Sequence, residues 1–187
     1  MNEYDDLPPE LVLRLKKARE RVIDSIGKNM DLYGITLSIG HLYGHMYFSS
    51  GPVTLDELSK KMEMSKTSMS TGVRTLVDLK MIDKVWGKGS RKDFYEATPD
   101  WYQNFSDYFS IKWRKAVEGN TNALNRSLAE LRALRAENED NAPLSAYIEQ
   151  DEAKIIEALK YYRWLLRFIE TLETGKIFEL VPKEPEP

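Results

Sequence analysis

From Pro9 to Ile26 the apolar residues Leu11, Leu15, Ala18, Val22 and Ile26 recur at intervals of three and four, which lays one stripe along a helix. Acidic residues precede it, as the positive end of a helix dipole favours. A second helix is expected from Asp31 to Phe48, with Leu32, Ile35, Ile39, Tyr43, Met46 and Tyr47 on a broad apolar side. Gly34, Gly40 and Gly44 weaken its propensity but allow a neighbouring backbone to approach closely. The run "SSGP" at 49–52 ends it.

Thr54 then precedes a short helix with Glu57 three residues on, the spacing of a reciprocal capping box, and Leu55, Leu58 and Met62 face inward. Ser65 caps a further helix whose inward residues are Met69, Val73, Leu76 and Val77. Two short capped helices joined by a tight turn make a helix-turn-helix. Next, "MIDKVW", "GKGSRK" and "DFYEAT" read as a strand, a Gly-containing turn and a returning strand. Pro99 stops this hairpin and opens a long helical region to about Leu134, striped by Leu124, Leu128, Leu131 and Leu134. After the polar break "ENEDNAP", a last helix runs from about Leu144 to Thr174. Ile155, Leu159, Tyr162, Leu166 and Ile169 alternate along it by four and three, the seam of a coiled coil or helical pair. Gly175 is its C-terminal stop.

The pattern gives a mainly α chain with a small β-hairpin, a winged helix-turn-helix between long N- and C-terminal dimerisation helices. The expected divisions are 1–50 for the N-terminal helices, 51–98 for the winged helix-turn-helix, 99–181 for the long dimerisation helices and 182–187 for a flexible tail.

Composition changes this picture in two ways. No stretch of the 187 residues approaches the roughly 20 apolar positions of a membrane span, and "MNEYDDLPPE" lacks a secretory signal, so a cytoplasmic protein is expected. The absence of cysteine removes disulfides, thiolate metal sites and cysteine catalysis together. The net charge of -3 hides a basic island: between Lys66 and Lys92 seven cations face only Asp78 and Asp83, a local +5. Where charge clusters decides nucleic-acid binding better than the average does.

"KVWGKGSRKDFYEA" poses a choice between a nucleotide cradle and a basic wing. A phosphate-binding loop needs G-x-x-x-x-G-K-[ST] between a buried strand and a helix N-terminus. Here Gly87, Lys88, Gly89 and Ser90 lie between two amphipathic strands, so spacing and context both fail. A plain hairpin turn would not explain Lys84, Lys88, Arg91 and Lys92 together. DNA would: Lys66, Thr67, Ser68, Ser70, Thr71 and Arg74 face outward on the second helix of the pair, and short hydroxyls mixed with cations suit a groove. Lys88, Ser90, Arg91 and Lys92 on the wing then meet phosphates or the minor groove.

The segment "TLDELSKKMEMSKTSMSTGVRTLVDLKMIDKVW", its basic hairpin and the long helices resemble winged-helix regulators of the MarR superfamily. With "DWYQNFSDYFSIKWRKAV" and "ETGKIFELVPKE" the chain is similar to the GbsR-type branch. Arg91 and Lys92 are the nearest positional counterparts of the superfamily's wing contacts. The resemblance implies a homodimeric DNA-binding repressor linked to uptake or synthesis of the osmoprotectant glycine betaine.

Six aromatic residues, Trp101, Tyr102, Phe105, Tyr108, Phe109 and Trp113, crowd thirteen positions. Core and dimer packing accounts for most such density. The functional alternative is an aromatic cage, because a quaternary ammonium cannot donate hydrogen bonds and is held by π faces. Tyr43, Tyr47 and Tyr95 with Trp101, Phe105 and Trp113 would line it. The resemblance favours this reading, since choline and glycine betaine are ligands that such a cage suits. His41 and His45 have the four-residue spacing of zinc ligands, but no third ligand is evident and "HLYGH" lacks the metalloprotease Glu. No nucleophile and base pair suggests catalysis, and no cofactor or metal is expected. The chain reads as a regulator bound to a double-stranded operator. Its rival is a helical dimer whose winged-helix lobe binds protein without sequence-specific DNA contact.

Overall fold

A computed structural model describes residues 6–86 and 92–185. The elements run α1 (Pro9–Asp31), α2 (Leu37–Tyr47), β1 (Val53–Thr54), α3 (Leu55–Lys61), α4 (Lys66–Asp78), β2 (Ile82–Trp86), β3 (Asp93–Ala97), α5 (Trp101–Glu137), α6 (Ala142–Glu173) and α7 (Ile177–Leu180). Two compact units divide inside α5, one ending at Asn104 and the other beginning at Phe105. Among the described residues no helix is long and apolar enough to cross a membrane.

The first unit starts differently from its sequence pattern. α1 continues past Ile26 to Asp31, and α2 starts at Leu37 rather than Asp31. Gly34 makes the break: it adopts φ +68, where a Cβ would be strained, and its N–H reaches the Asp31 carbonyl at 2.9 Å. Leu32, expected on the apolar side of the second helix, is instead 83% exposed. The expected stripe of α1 also divides. Ile26 is buried with Ile23 and Met30, whereas Leu11, Leu15 and Val22 are exposed. α1 packs on α2 through glycines. A Cβ on Gly40 would stand 2.7 Å from the Gly27 Cα, so the two backbones touch without side chains between them.

Local hydrogen bonds then set the helix-turn-helix. Thr54 and Glu57 form the full capping box: the Thr54 N–H donates to Glu57 Oε2 at 2.7 Å, and the Glu57 N–H returns to Thr54 Oγ1 at 3.3 Å. The Thr54 N–H and then the Thr54 hydroxyl, which donates to the same oxygen at 2.7 Å, hold the Glu57 carboxyl below its ordinary range. Ser65 Oγ accepts the Ser68 N–H at 3.2 Å and caps α4. The turn between them is pinned where Ser59 Oγ donates to the Met64 carbonyl at 2.6 Å. Leu58, Met69, Val73 and Leu76 fill the interior. The sheet has three antiparallel strands in the order β1-β3-β2. β2 and β3 pair from Ile82↔Ala97 to Trp86↔Asp93, and β1 adds Val53↔Tyr95, a strand too short to read from the sequence.

In the second unit Val117 of α5 packs with Leu165 and Ile169 of α6, supported by Phe109, Tyr162, Leu166 and Phe168. The α6 seam therefore faces α5 as its periodicity predicts. Arg114 grips Glu173 with two bonds, Nε to Oε1 at 2.9 Å and a terminal nitrogen to Oε2 at 2.6 Å. Arg132 and Arg135 share Glu152 at 3.2 and 3.3 Å, so the start of α5 lies beside the end of α6 and the helices are antiparallel. Asn141 caps α6, and Gly175 at φ +71 stops it.

Candidate nucleic-acid interface and effector site

The capped α4 turns one face into the core and leaves another outside. Lys66, Thr67, Ser68, Thr71 and Arg74 are exposed and Ser70 is half-buried, which is the disposition the apolar spacing predicts. Several of these polar groups already have partners. The Thr71 hydroxyl donates to the Thr67 carbonyl at 3.1 Å, leaving its oxygen lone pairs outward. Ser68 Oγ meets Ser65 Oγ at 3.0 Å.

A carboxylate that the sequence did not single out organises the cations. Asp56, in the first turn of α3, takes Lys66 at the start of α4 on one oxygen and Lys92, before β3, on the other at 2.9 Å. Hydrogen bonds from Lys66 and then Lys92 hold its carboxyl down to about 2, and Lys92 is raised in turn by Asp56. Lys84 of β2 pairs with Asp93 at 2.9 Å, which raises the Lys84 ammonium. The basic island is thus partly neutralised from within. Of the wing residues expected to meet DNA, Lys92 is placed here, while Lys88, Ser90 and Arg91 lie outside the described residues.

The expected cage residues fall into separate groups. In the first unit Tyr43, Tyr47 and Trp101 come together: Tyr43 and Trp101 lie edge to face at 5.8 Å between centroids, Tyr47 and Trp101 at 5.1 Å, and Tyr43 and Tyr47 at 6.3 Å. Phe48, absent from the expected set, joins Tyr47 at 5.4 Å and carries the Arg19 guanidinium 5.7 Å above its ring. Tyr95 is buried on β3, opposite Val53 and Lys84. Phe105 and Trp113 belong to the second unit, on either side of Phe109 at 6.1 and 5.7 Å.

A polar network lies against the first group. The Tyr43 hydroxyl donates to the Thr98 carbonyl at 3.4 Å and accepts from Asn104 Nδ2 at 3.0 Å, and Asn104 donates to the same carbonyl at 3.1 Å. Asn104 Oδ1 is buried with no hydrogen-bond partner among the described residues. Burial, reinforced by Tyr47, pushes the Tyr43 phenol up to about 12. Thr98 continues the network into the wing: its N–H donates to the Met81 carbonyl at 3.0 Å and its hydroxyl to Asp83 of β2 at 3.4 Å. Asn104 belongs to no sequence motif, and only the fold reveals its role.

His41 and His45 have different surroundings. His41 Nε2 stands 3.3 Å from Asp24 of α1. Burial, then Lys61, holds His45 below the usual imidazole range. Among the described residues no group of three metal-ligating side chains converges.

Comparison with known proteins places these features. The C-terminal helical hairpin of GbsR family transcriptional regulators matches residues 101–179. The chain is 40% identical over 175 residues to the HTH-type transcriptional repressor GbsR of Bacillus subtilis (strain 168), covering 91% of this chain and 94% of the relative. It is 37% identical to the HTH-type transcriptional repressor OpcR of the same organism, covering 92% and 93%. The crystal structure of a transcriptional regulator shares its fold at a TM-score of 0.54 and 14% identity, over 85% of this chain and 98% of the other. With a capped helix-turn-helix, a three-stranded wing and a matching terminal hairpin, this chain belongs to the GbsR family of winged-helix transcriptional regulators.

Proposed function

We propose that the chain is a homodimeric, DNA-binding transcriptional repressor of osmoprotectant uptake or synthesis genes, released from its operator by a quaternary ammonium effector. The observation that carries the DNA reading is the outer face of α4, where Lys66, Thr67, Ser68, Thr71 and Arg74 are exposed beside a wing bearing Lys84 and Lys92. The relatives GbsR and OpcR, both transcriptional repressors of the helix-turn-helix type, support it. Leu11, Leu13, Leu15 and Val22 of α1, exposed on one chain, supply apolar surface for a second copy. Two recognition helices must reach half-sites about 34 to 36 Å apart, so a modest change in the dimer weakens operator binding.

The effector reading rests on Tyr43, Tyr47 and Trp101. Their centroid separations of 5.1 to 6.3 Å put the rings in mutual contact, so a trimethylammonium group enters by displacing one of them. Trp101, 43% exposed at the start of α5, is the ring with room to swing, whereas Tyr43 is fully buried. Each desolvated ring face adds up to about 2 kcal/mol of cation–π attraction. Displacement also loads the Tyr43–Thr98–Asp83 connection toward β2, giving the effector a difference in affinity between two states, which any ligand-driven switch requires.

Calorimetry with choline, glycine betaine and ethanolamine tests the effector class: heat with the first two and none with the third is expected, and equal binding of all three would remove the cage. Binding to promoter and scrambled duplexes across a salt series tests the DNA reading. Equal and feeble binding to both would favour a protein-interaction module.

A further inference from the structure

Trp86 ends β2 with 97% of its surface exposed, against 40 to 52% for the other three tryptophans. Leaving a whole indole in water forgoes one of the largest apolar burials any side chain offers. Its cross-strand partner is Asp93, which cannot cover it. Lys84 lies two residues back on the same strand face, its ammonium 2.9 Å from Asp93, and Lys92, the residue before β3, pairs with Asp56. An exposed apolar ring on a wing that also carries Lys84 and Lys92 suits a polyanion with flat apolar faces, whose phosphates can take those lysines from their carboxylate partners.

We propose that Trp86 is a stacking contact to DNA, entering a base step beside the phosphates that the wing's lysines neutralise. The inference rests on the DNA-binding reading and adds a source of selectivity to it. Lysine–phosphate contacts carry no sequence information directly. A wedge does, because partly unstacking a step is easiest at flexible pyrimidine–purine steps such as TA and hardest in a stiff A-tract. Trp86 therefore selects duplexes that place a deformable step under the wing, including positions where no base edge is read.

The test uses the full chain and two fluorescein-labelled duplexes of equal length with GC-closed ends, one an alternating TA repeat and the other an uninterrupted dA·dT tract. Both present the same number of phosphates. The wild type is expected to bind the alternating duplex about tenfold more tightly, the worth of one aromatic stack. Trp86→Ala should lose most of that preference while keeping its affinity for the A-tract, and Trp86→Phe should retain part. DNA should also quench tryptophan emission in the wild type and leave Trp86→Phe less affected. Tight but equal binding of both duplexes by the wild type, or a preference that survives Trp86→Ala, overturns the wedge. Emission that changes with protein concentration alone in the wild type but not in Trp86→Phe, without DNA, assigns Trp86 to a second copy and also overturns it. Failure to bind either duplex at low salt overturns the DNA-binding reading itself, a separate result.

Discussion

Asn104 donates to the hydroxyl of Tyr43 at 3.0 Å, joining α5 to α2 across 61 positions of the chain with both side chains buried. The contact decides how the first unit closes on itself, because the same amide also holds the Thr98 carbonyl.

Asn104→Ala removes both bonds, leaving the buried Tyr43 hydroxyl oxygen without its donor and the Thr98 carbonyl with the Tyr43 hydroxyl alone, which costs about 1–3 kcal/mol. Tyr43→Phe deletes one hydroxyl while Asn104 keeps its bond to Thr98, so a smaller loss of about 1 kcal/mol is expected. Urea titrations of the two variants should rank them in that order, and a larger loss for Tyr43→Phe would contradict the network as described.

Tyr43 also sets an alkaline limit. Its phenol is raised from about 10 in the unfolded chain to about 12 in the fold. Its contribution is therefore whole below about pH 10 and is lost as pH rises through about 12, because the unfolded state releases the proton first. Melting temperatures of the wild type should fall across that window, and the fall should be shallower for Tyr43→Phe.

In the proposed DNA complex Asp56 would compete with phosphate for Lys66 and Lys92. Asp56→Asn should tighten binding to any duplex several-fold at low salt, with the gain shrinking as salt rises. Lys92→Ala should weaken binding regardless of sequence and reduce the salt slope by about 1. At the acid end the sign reverses from Tyr43: the Asp56 carboxyl is lowered to about 2, so its stabilisation is present above about pH 4 and is lost as pH falls toward 2.

The contact between α1 and α2 predicts a pair of opposite outcomes. Gly40→Ala places a methyl against the Gly27 backbone and should cost about 1–3 kcal/mol through overpacking. Gly119 of α5 has nothing within 4 Å of an added Cβ, so Gly119→Ala should stabilise by about 0.5–1 kcal/mol through helix propensity. Thermal denaturation separates the two.

Much of this molecule is written locally. The Thr54–Glu57 and Ser65–Ser68 caps span three residues each, so short windows of sequence locate α3 and α4 and, with them, the exposed side chains of the second helix. The alternation of "DFYEA" does the same for β3. The α1–α2 boundary was hidden because Leu32 and Ile35 continue an apolar run through Gly34, whose positive φ becomes evident only once the chain has turned. Asp56 was hidden for another reason. In the first turn of a helix an acidic residue already has an explanation in the helix dipole, and its Lys92 partner lies 36 positions away. Of the aromatic residues expected together, Tyr43, Tyr47 and Trp101 assemble, while Phe105 and Trp113 pack around Phe109 and Tyr95 is buried on β3, since residue type says nothing of which unit a ring will join.

Thr98 is followed by Pro99, and a residue before proline is confined to extended backbone. Its N–H is tied to Met81, its hydroxyl to Asp83, and its carbonyl to both Tyr43 and Asn104. A tether anchored at each end and stiffened in the middle has little slack. Thr98 therefore links the buried Tyr43 and Asn104 on one side to Met81 and Asp83, at the root of the wing, on the other. A change confined to Thr98–Pro99 is thus expected to reach α2, α5 and β2 together, although the dipeptide belongs to none of them.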